Sequence, residues 1–206
     1  MSTRITTFIF DCFGVVCSPV LNTWYREHST KYDFIDENLQ ETFKQFDLGF
    51  LSEDDMLDYF LQYPNIISDK AQLRREIDSY LTIDKDLVEI IKKLKRDGSK
   101  TILLSNANNA FFERKVYTQY PEFKSLFTEV IISSAVGMVK PDSEIYLHAL
   151  DLAKSKPEES LFIDDSEPNV DAAIALGIKG FVYSDCASFA DYLSGITIDT
   201  DAQCKP

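Results

Sequence analysis

Five short apolar runs punctuate the chain: Thr7 to Phe10, Thr101 to Leu104, Val130 to Ile132, Leu161 to Ile163 and Gly180 to Tyr183. None alternates polar with apolar residues, so each is expected to be buried on both faces, as the strands of a parallel sheet are. Helical spacing appears between the later runs. Leu87, Ile90, Ile91 and Leu94 stop at Gly98; Ile145, Leu147, Leu150 and Leu152 follow Pro141; Val170, Ala173, Ile174 and Leu176 stop at Gly177. Strand and helix in this rhythm predict a doubly wound α/β core on a parallel sheet.

The rhythm breaks once. About ninety residues separate the first run from the second, where a simple crossover needs only a few tens. The intervening stretch has helical patterns and no convincing strand; Ser52-Glu53-Asp54-Asp55 reads as a capped start to the apolar positions Met56, Leu57, Tyr59, Phe60 and Leu61. The expected organisation is a core domain of residues 1–18 and 83–206 with a helical cap, residues 19–82, inserted between its first two strands. The final DTDAQCKP is expected to fray.

Composition narrows the function classes. Of 206 residues, 45% are hydrophobic and 27% charged, the balance of a folded globular chain. Thirty-four acidic against 21 basic residues leave a net charge of -13, which repels a nucleic-acid backbone and argues against such a partner. No apolar run reaches the roughly 18 residues of a membrane span, and MSTRITTFIF lacks a signal-peptide cleavage site, so a cytoplasmic protein with no membrane partner is expected. Cys12, Cys17, Cys186 and Cys204 form no CxxC pair, and His28 and His148 lie far apart; the cysteines are read as reduced and no zinc site is expected.

In an open parallel sheet, ligands collect beyond the carboxyl ends of the strands. The residues there are Asp11 after the first run, Ser105-Asn106 after the second, Lys140 in GMVKP beyond the third, and Asp164-Asp165 after the fourth. Singly, each has a bland reading as a turn or helix cap. Together they deliver complementary chemistry to one sheet edge. Three carboxylates gathered there would repel one another by roughly 4 kcal/mol per pair at about 4 Å, so the cluster needs a cation. Oxygen ligands without histidine or cysteine select Mg²⁺. Three negative charges against Mg²⁺ and Lys140 leave a neutral site that can receive a phosphate.

The order of these elements, hhhhDxxxV, hhhSN, KP and hhhDD, resembles the four motifs of the haloacid dehalogenase-like hydrolase superfamily over residues 7–176, with a Rossmann-like core and an inserted helical cap. The stretch DLGFLSEDDMLDYF is similar to a cap segment of its phosphatase-like members. The chain also looks similar to glucose-1-phosphate phosphatases and to the phosphatase domain of soluble epoxide hydrolase. The resemblance implies a Mg²⁺-dependent phosphatase acting on a small phosphorylated metabolite. Asp11 would be the nucleophile that becomes an aspartyl-phosphate. Asp11, the Phe13 carbonyl and Asp165 would hold the metal, with Asp164 contributing directly or through water. Ser105 and Lys140 would stabilise the phosphoryl group, and Asn106 would border the leaving group.

One departure matters. Phosphatases of this superfamily place a second Asp two residues after the nucleophile as general acid and base; here that residue is Phe13, read as packing beneath the cap. Such catalysis is worth about 10² to 10⁴ in rate. The departure keeps two alternatives open, a 2-haloacid dehalogenase-type hydrolase and a catalytically weak phospho-ligand-binding protein. Asn22, Trp24, Tyr25 and His28 at the cap entry are candidate replacements for the missing acid.

Overall fold

The computed structural model describes residues 4–32, 38–63, 65–66 and 69–196; Cys204 and the DTDAQCKP tail lie outside them. Five parallel strands, β1 (Thr7–Phe10), β2 (Lys100–Ser105), β3 (Glu129–Ile132), β4 (Ser160–Asp164) and β5 (Lys179–Val182), form one sheet in the order β3-β2-β1-β4-β5. The chain winds outward from β1 to β3, then jumps back to β4 beside β1. The topological switch point, where open α/β sheets bind ligands, therefore lies between β1 and β4. Phe10 pairs with Ile163 and the Asp11 amide donates to the Ile163 carbonyl at 2.8 Å, which sets Asp11 beside Asp164 in register.

Alternation along the strands divides the core between two faces. Phe8, Phe10, Leu103, Leu161 and Ile163 pack on one side with Leu87, Ile91 and Leu94 of α5 (Lys85–Arg96) and Phe189 of α11 (Cys186–Gly195). Ile9, Ile102, Leu104 and Phe162 pack on the other with Ile145, Tyr146 and Ala149 of α9 (Ser143–Ala153) and Val170 and Ala173 of α10 (Glu167–Ala175). Asp84 caps α5 by accepting the Leu87 amide at 2.9 Å, and three basic residues in its last turn complement the helix dipole.

Two readings of the apolar pattern are corrected. β1 and β4 are buried throughout, but β3 and β5 are edge strands with half-open faces, and Val182 is 47% exposed. A run of apolar residues does not encode its place in the strand order. In α9 the buried stripe is Ile145, Tyr146, Ala149, Leu150 and Ala153, leaving Leu147 and Leu152 exposed; in α10, Ile174 is exposed as well. Tyr146 carries the stripe because its hydroxyl reaches the Asn169 carbonyl at 2.9 Å while its ring packs edge-on against Phe162.

Between β1 and α5 come four helices, α1 (Val20–Tyr32), α2 (Leu39–Asp47), α3 (Glu53–Leu61) and α4 (Lys70–Asp78). α3 opens with the expected capping box: the Asp55 amide donates to Ser52 Oγ at 3.1 Å, and the Ser52 amide donates to the Asp55 carboxylate at 2.8 Å. A short helical segment after β2, formed by α6 (Asn109–Phe111), a π-helical turn (Phe112–Val116) and α7 (Tyr117–Gln119), ties these helices to the sheet. Its Arg114 forks onto Glu53 at the start of α3 (2.7 Å) and Asp78 at the end of α4 (2.6 Å). Between β3 and α9 a single helical turn, α8 (Ser133–Val136), precedes the loop that carries Lys140.

Candidate active site

The strand ends deliver their side chains to one point. Lys140 Nζ lies 2.6 Å from Asp11 Oδ1 and 2.6 Å from Asp164 Oδ2, with all three side chains almost wholly buried. Asp11, Asp164 and Asp165 each offer an oxygen within 4.8 Å of the others. Burial raises the Asp11 carboxyl to about 7, Lys140 pulling it back and Asp164 adding to the rise. The two flanking carboxylates outweigh burial at Lys140 and hold its ammonium well above its usual value, so it stays charged.

The two neighbouring aspartates have different surroundings. Asp164 is saturated: Oδ1 accepts from the Ser166 amide at 2.8 Å and Asn169 Nδ2 at 3.1 Å, and Oδ2 accepts from Lys140 and again from Asn169 at 3.2 Å. Asp165 is exposed, and its carboxyl is raised by partial burial and by Asp164. Its carboxylate lies against Gly14, where φ is +105° and a Cβ would fall 2.2 Å from Asp165 Oδ2. Only glycine serves at that position, on both counts. The donor set is entirely hard oxygen, which fits a small divalent cation.

Ser105, the last residue of β2, is fully buried, and its hydroxyl is without a hydrogen-bond partner among the described residues. A buried hydroxyl left unmade costs about 1–3 kcal/mol, so its presence at the sheet's ligand edge needs an oxygen acceptor to account for it. Asn106 lines the cavity, but both ends of its amide are committed. Nδ2 donates to the Lys140 carbonyl at 2.8 Å and Oδ1 accepts the Lys140 amide at 2.8 Å. Asn106 thus fixes the loop that carries Lys140, where the sequence reading set it beside the leaving group.

Phe13 has no proton to give. Its ring packs on Phe111 and Phe112 after β2, at centroid separations of 5.8 and 5.6 Å. The reading of Phe13 as packing beneath the inserted helices is thus refined: its ring partners belong to the segment after β2. Two candidate replacement acids are also corrected: neither His28 nor Trp24 lines the cavity. His28 Nδ1 donates to the Trp24 carbonyl (2.8 Å), Nε2 meets Glu76 at 3.0 Å, and the ring stacks between the Trp24 and Tyr32 rings. It is a packing residue of α1, whose one apolar face takes up both rings.

The cavity above the cluster holds about 700 Å³, a small-molecule size. Its floor is Asp11, Phe13, Lys140 and Asp165; Leu21, Tyr25, Phe43, Phe46, Met56 and Leu57 from α1, α2 and α3 form an apolar wall. Two further cations line it, and both are occupied: Arg74 by Glu53 and Asp54, Arg114 by Glu53 and Asp78. Two supporting residues escape the sequence reading. Asn169, five residues beyond Asp164 in DDSEPN, pins that carboxylate; Asp47, at the end of α2, lines the cavity.

The geometry has counterparts. The chain is 29% identical over 193 residues to the sesquiterpene phosphatase astK of Aspergillus oryzae, covering 90% of this chain and 93% of that protein. It is 25% identical over 202 residues to the pyrophosphatase PpaX of Bacillus cereus, covering 87% and 88%. A HAD family enzyme of Bacteroides thetaiotaomicron superimposes with a TM-score of 0.75 at 22% identity, over 93% of this chain and 99% of that one. The same enzyme has been crystallised with magnesium and inorganic phosphate (TM-score 0.67, 21% identity, 90% and 98% covered). The haloacid dehalogenase-like hydrolase family matches residues 5–177, most of the chain, and the protein belongs to that family.

Proposed function

We propose that the chain is a Mg²⁺-dependent phosphatase that hydrolyses a small phosphate monoester through an aspartyl-phosphate on Asp11. The observation that carries the reading is the gathering of the Asp11, Asp164 and Asp165 carboxylates within 4.8 Å of one another, with buried Lys140 paired to the first two. In this reading Asp11 Oδ2, the Phe13 carbonyl and Asp165 hold Mg²⁺, and Asp164, saturated by its neighbours, contributes through water. The cation supplies positive charge that screens the phosphoryl oxygens from the nucleophile. Lys140 keeps Asp11 oriented and offsets its charge; the Ser105 hydroxyl donates to a phosphoryl oxygen, which gives its buried proton a partner. Residues 19–82 act as the cap that shields the reaction from water, over a core of 1–18 and 83–206.

The cavity wall favours a particular kind of ester. With Arg74 and Arg114 both occupied by carboxylates, the described residues of the cavity offer no free cation away from the floor for a second anionic group, and its wall is aromatic and aliphatic. A phosphate on an uncharged, largely apolar organic group fits it, in keeping with the likeness to a sesquiterpene phosphatase. The test is a Mg²⁺-supplemented screen of apolar and sugar phosphates with chloroacetate as the dehalogenase control. Hydrolysis of apolar monoesters is expected, falling at least about 100-fold in EDTA. Undiminished activity in EDTA, or release of chloride, overturns the reading.

Gly14→Ala is expected to separate metal from fold. The strained φ costs about 1–3 kcal/mol, or a few degrees in Tm. The added methyl group displaces the Asp165 carboxylate, so the Mg²⁺ concentration for half-maximal activity rises about tenfold or more. Magnesium titration of activity beside a melting curve checks both.

A further inference from the structure

We infer that Asp47, from the inserted helices, is the general acid and base that the position of Phe13 no longer supplies. The inference rests on the phosphatase reading above. Asp47 is the last residue of α2 and lines the main cavity with Asp11, Phe13 and Lys140. It also lines an adjoining cleft of about 350 Å³ with Asn106 and Lys140.

Three ties fix this end of α2 onto the strand-end loops of the core. Ser133 Oγ, just after β3, donates to the Asp47 carbonyl at 2.5 Å. Asn108 Nδ2, just after β2, donates to the Leu51 carbonyl at 3.0 Å. Gly49, at φ +82°, presses against Ser134, whose Cβ and carbonyl oxygen would stand 3.0 Å from an added Cβ. These ties hold the Asp47 backbone at the cavity, where its carboxyl feels the charge of Lys140.

The other acids of the cavity are engaged. Glu53 and Asp78 are paired with arginines, and Asp11, Asp164 and Asp165 form the floor. Asp47 differs: among the described residues its carboxylate takes no hydrogen bond and forms no ion pair. Burial raises its carboxyl to about 7, against a downward pull from Lys140. The carboxyl end of a helix dipole, where Asp47 sits, also disfavours a carboxylate. A carboxyl poised near neutrality gives a proton in one step and takes one in the next.

The step balances. An Asp11 oxygen bonds to phosphorus as the ester P–O bond breaks, its electron pair staying on the leaving oxygen, which takes the Asp47 proton and departs as the alcohol. The Asp47 carboxylate then takes a proton from water as the water oxygen attacks phosphorus. The phosphorus bond to Asp11 breaks, phosphate leaves, and both aspartates return to their first state. A proton from Asp47 matters for an alkoxide leaving group and little for nitrophenolate, a stable anion.

The test compares wild-type protein with Asp47→Asn on hexyl phosphate and p-nitrophenyl phosphate in Mg²⁺. For Asp47→Asn, kcat/KM for hexyl phosphate is expected to fall about 10²-fold or more and that for p-nitrophenyl phosphate by less than about tenfold, with phosphoenzyme accumulating. A second readout survives a variant that folds poorly: the ratio of wild-type kcat/KM for hexyl phosphate to that for p-nitrophenyl phosphate falls as pH rises through about 7, because only the alkyl ester needs the proton that Asp47 loses. The charged groups around Asp47 are Lys140 and Asp11 across the cavity, Asp142 before α9, and Glu41 and Lys44 on α2 itself. A folded Asp47→Asn that keeps its hexyl phosphate activity, or loses both activities equally, overturns the assignment and leaves the phosphatase reading standing. A wild-type protein inactive on both esters overturns the phosphatase reading itself.

Discussion

Asp11→Asn is expected to abolish turnover, lowering kcat for p-nitrophenyl phosphate by at least about 10⁴-fold. Among the described residues no neighbouring group is placed to replace it: Lys140 is a cation, Asp164 has both oxygens saturated, and Asp165 is exposed. The amide oxygen still accepts from Lys140, whose second partner at Asp164 is untouched, so the melting temperature is expected to stay within about 5 °C of the wild type. Rapid acid quench with radiolabelled phosphate ester checks the nucleophile directly. Wild-type protein should retain a protein-bound phosphoryl group, and the variant none. A variant that still traps the adduct would falsify Asp11 as its site.

The reach of sequence reasoning follows from what each residue depends on. Asp11, Lys140 and Asp164-Asp165 are legible because a parallel sheet sends every strand's carboxyl end to the same edge, so lying beyond a strand end is enough to bring them together; Ser105 ends its strand at that same edge. The capping box at Ser52 is legible for a similar reason, since its partners are three residues apart. The Asn106 amide is not, because its partner is the backbone of a loop 34 residues away and any polar residue after a strand looks the same locally. His28 misleads as a candidate acid, since one turn of α1 decides whether it faces the cavity or the rings of Trp24 and Tyr32.

The segment 109–119 and helix α11 carry little periodicity of their own and are held by contacts distant in sequence, Arg114 to α3 and α4 and Phe189 to Phe10. Strand exposure fails for another reason. An apolar tetrapeptide at a sheet edge and one at its centre look alike until the order β3-β2-β1-β4-β5 is known. Asp47 did carry a local signal, an acid in the last turn of a helix, where the dipole opposes it. A residue set against its local electrostatics is worth following into the site.

Lys140→Met carries the second large effect, because the change keeps the side chain's volume and removes only its charge. Lys140 is 4% exposed and is the cation between two carboxylates that are themselves buried. Breaking a buried pair from one side costs about 3–5 kcal/mol, since the uncompensated charges remain where water cannot reach them. For a chain of this size that is roughly 6–20 °C in melting temperature. Activity is expected to fall about 10²- to 10³-fold as well, through the loss of a fixed charge beside the nucleophile.

Two observations distinguish this account from simple damage to the core. On the proposed reading Mg²⁺ binds the same carboxylates, so it should raise the melting temperature of Lys140→Met by more than that of the wild type. Adding Asp164→Asn removes one of the stranded charges, and the Asn side chain can still accept from the Ser166 amide and Asn169. The double variant should therefore be more stable than Lys140→Met alone, with a coupling energy of about 1–3 kcal/mol in the mutant cycle. Melting curves of the four proteins with and without Mg²⁺ measure both effects. Additive losses in that cycle, with no extra stabilisation by Mg²⁺, would show that Lys140 is held by its packing against Phe162, over whose ring its ammonium lies at 5.5 Å, rather than by the two aspartates.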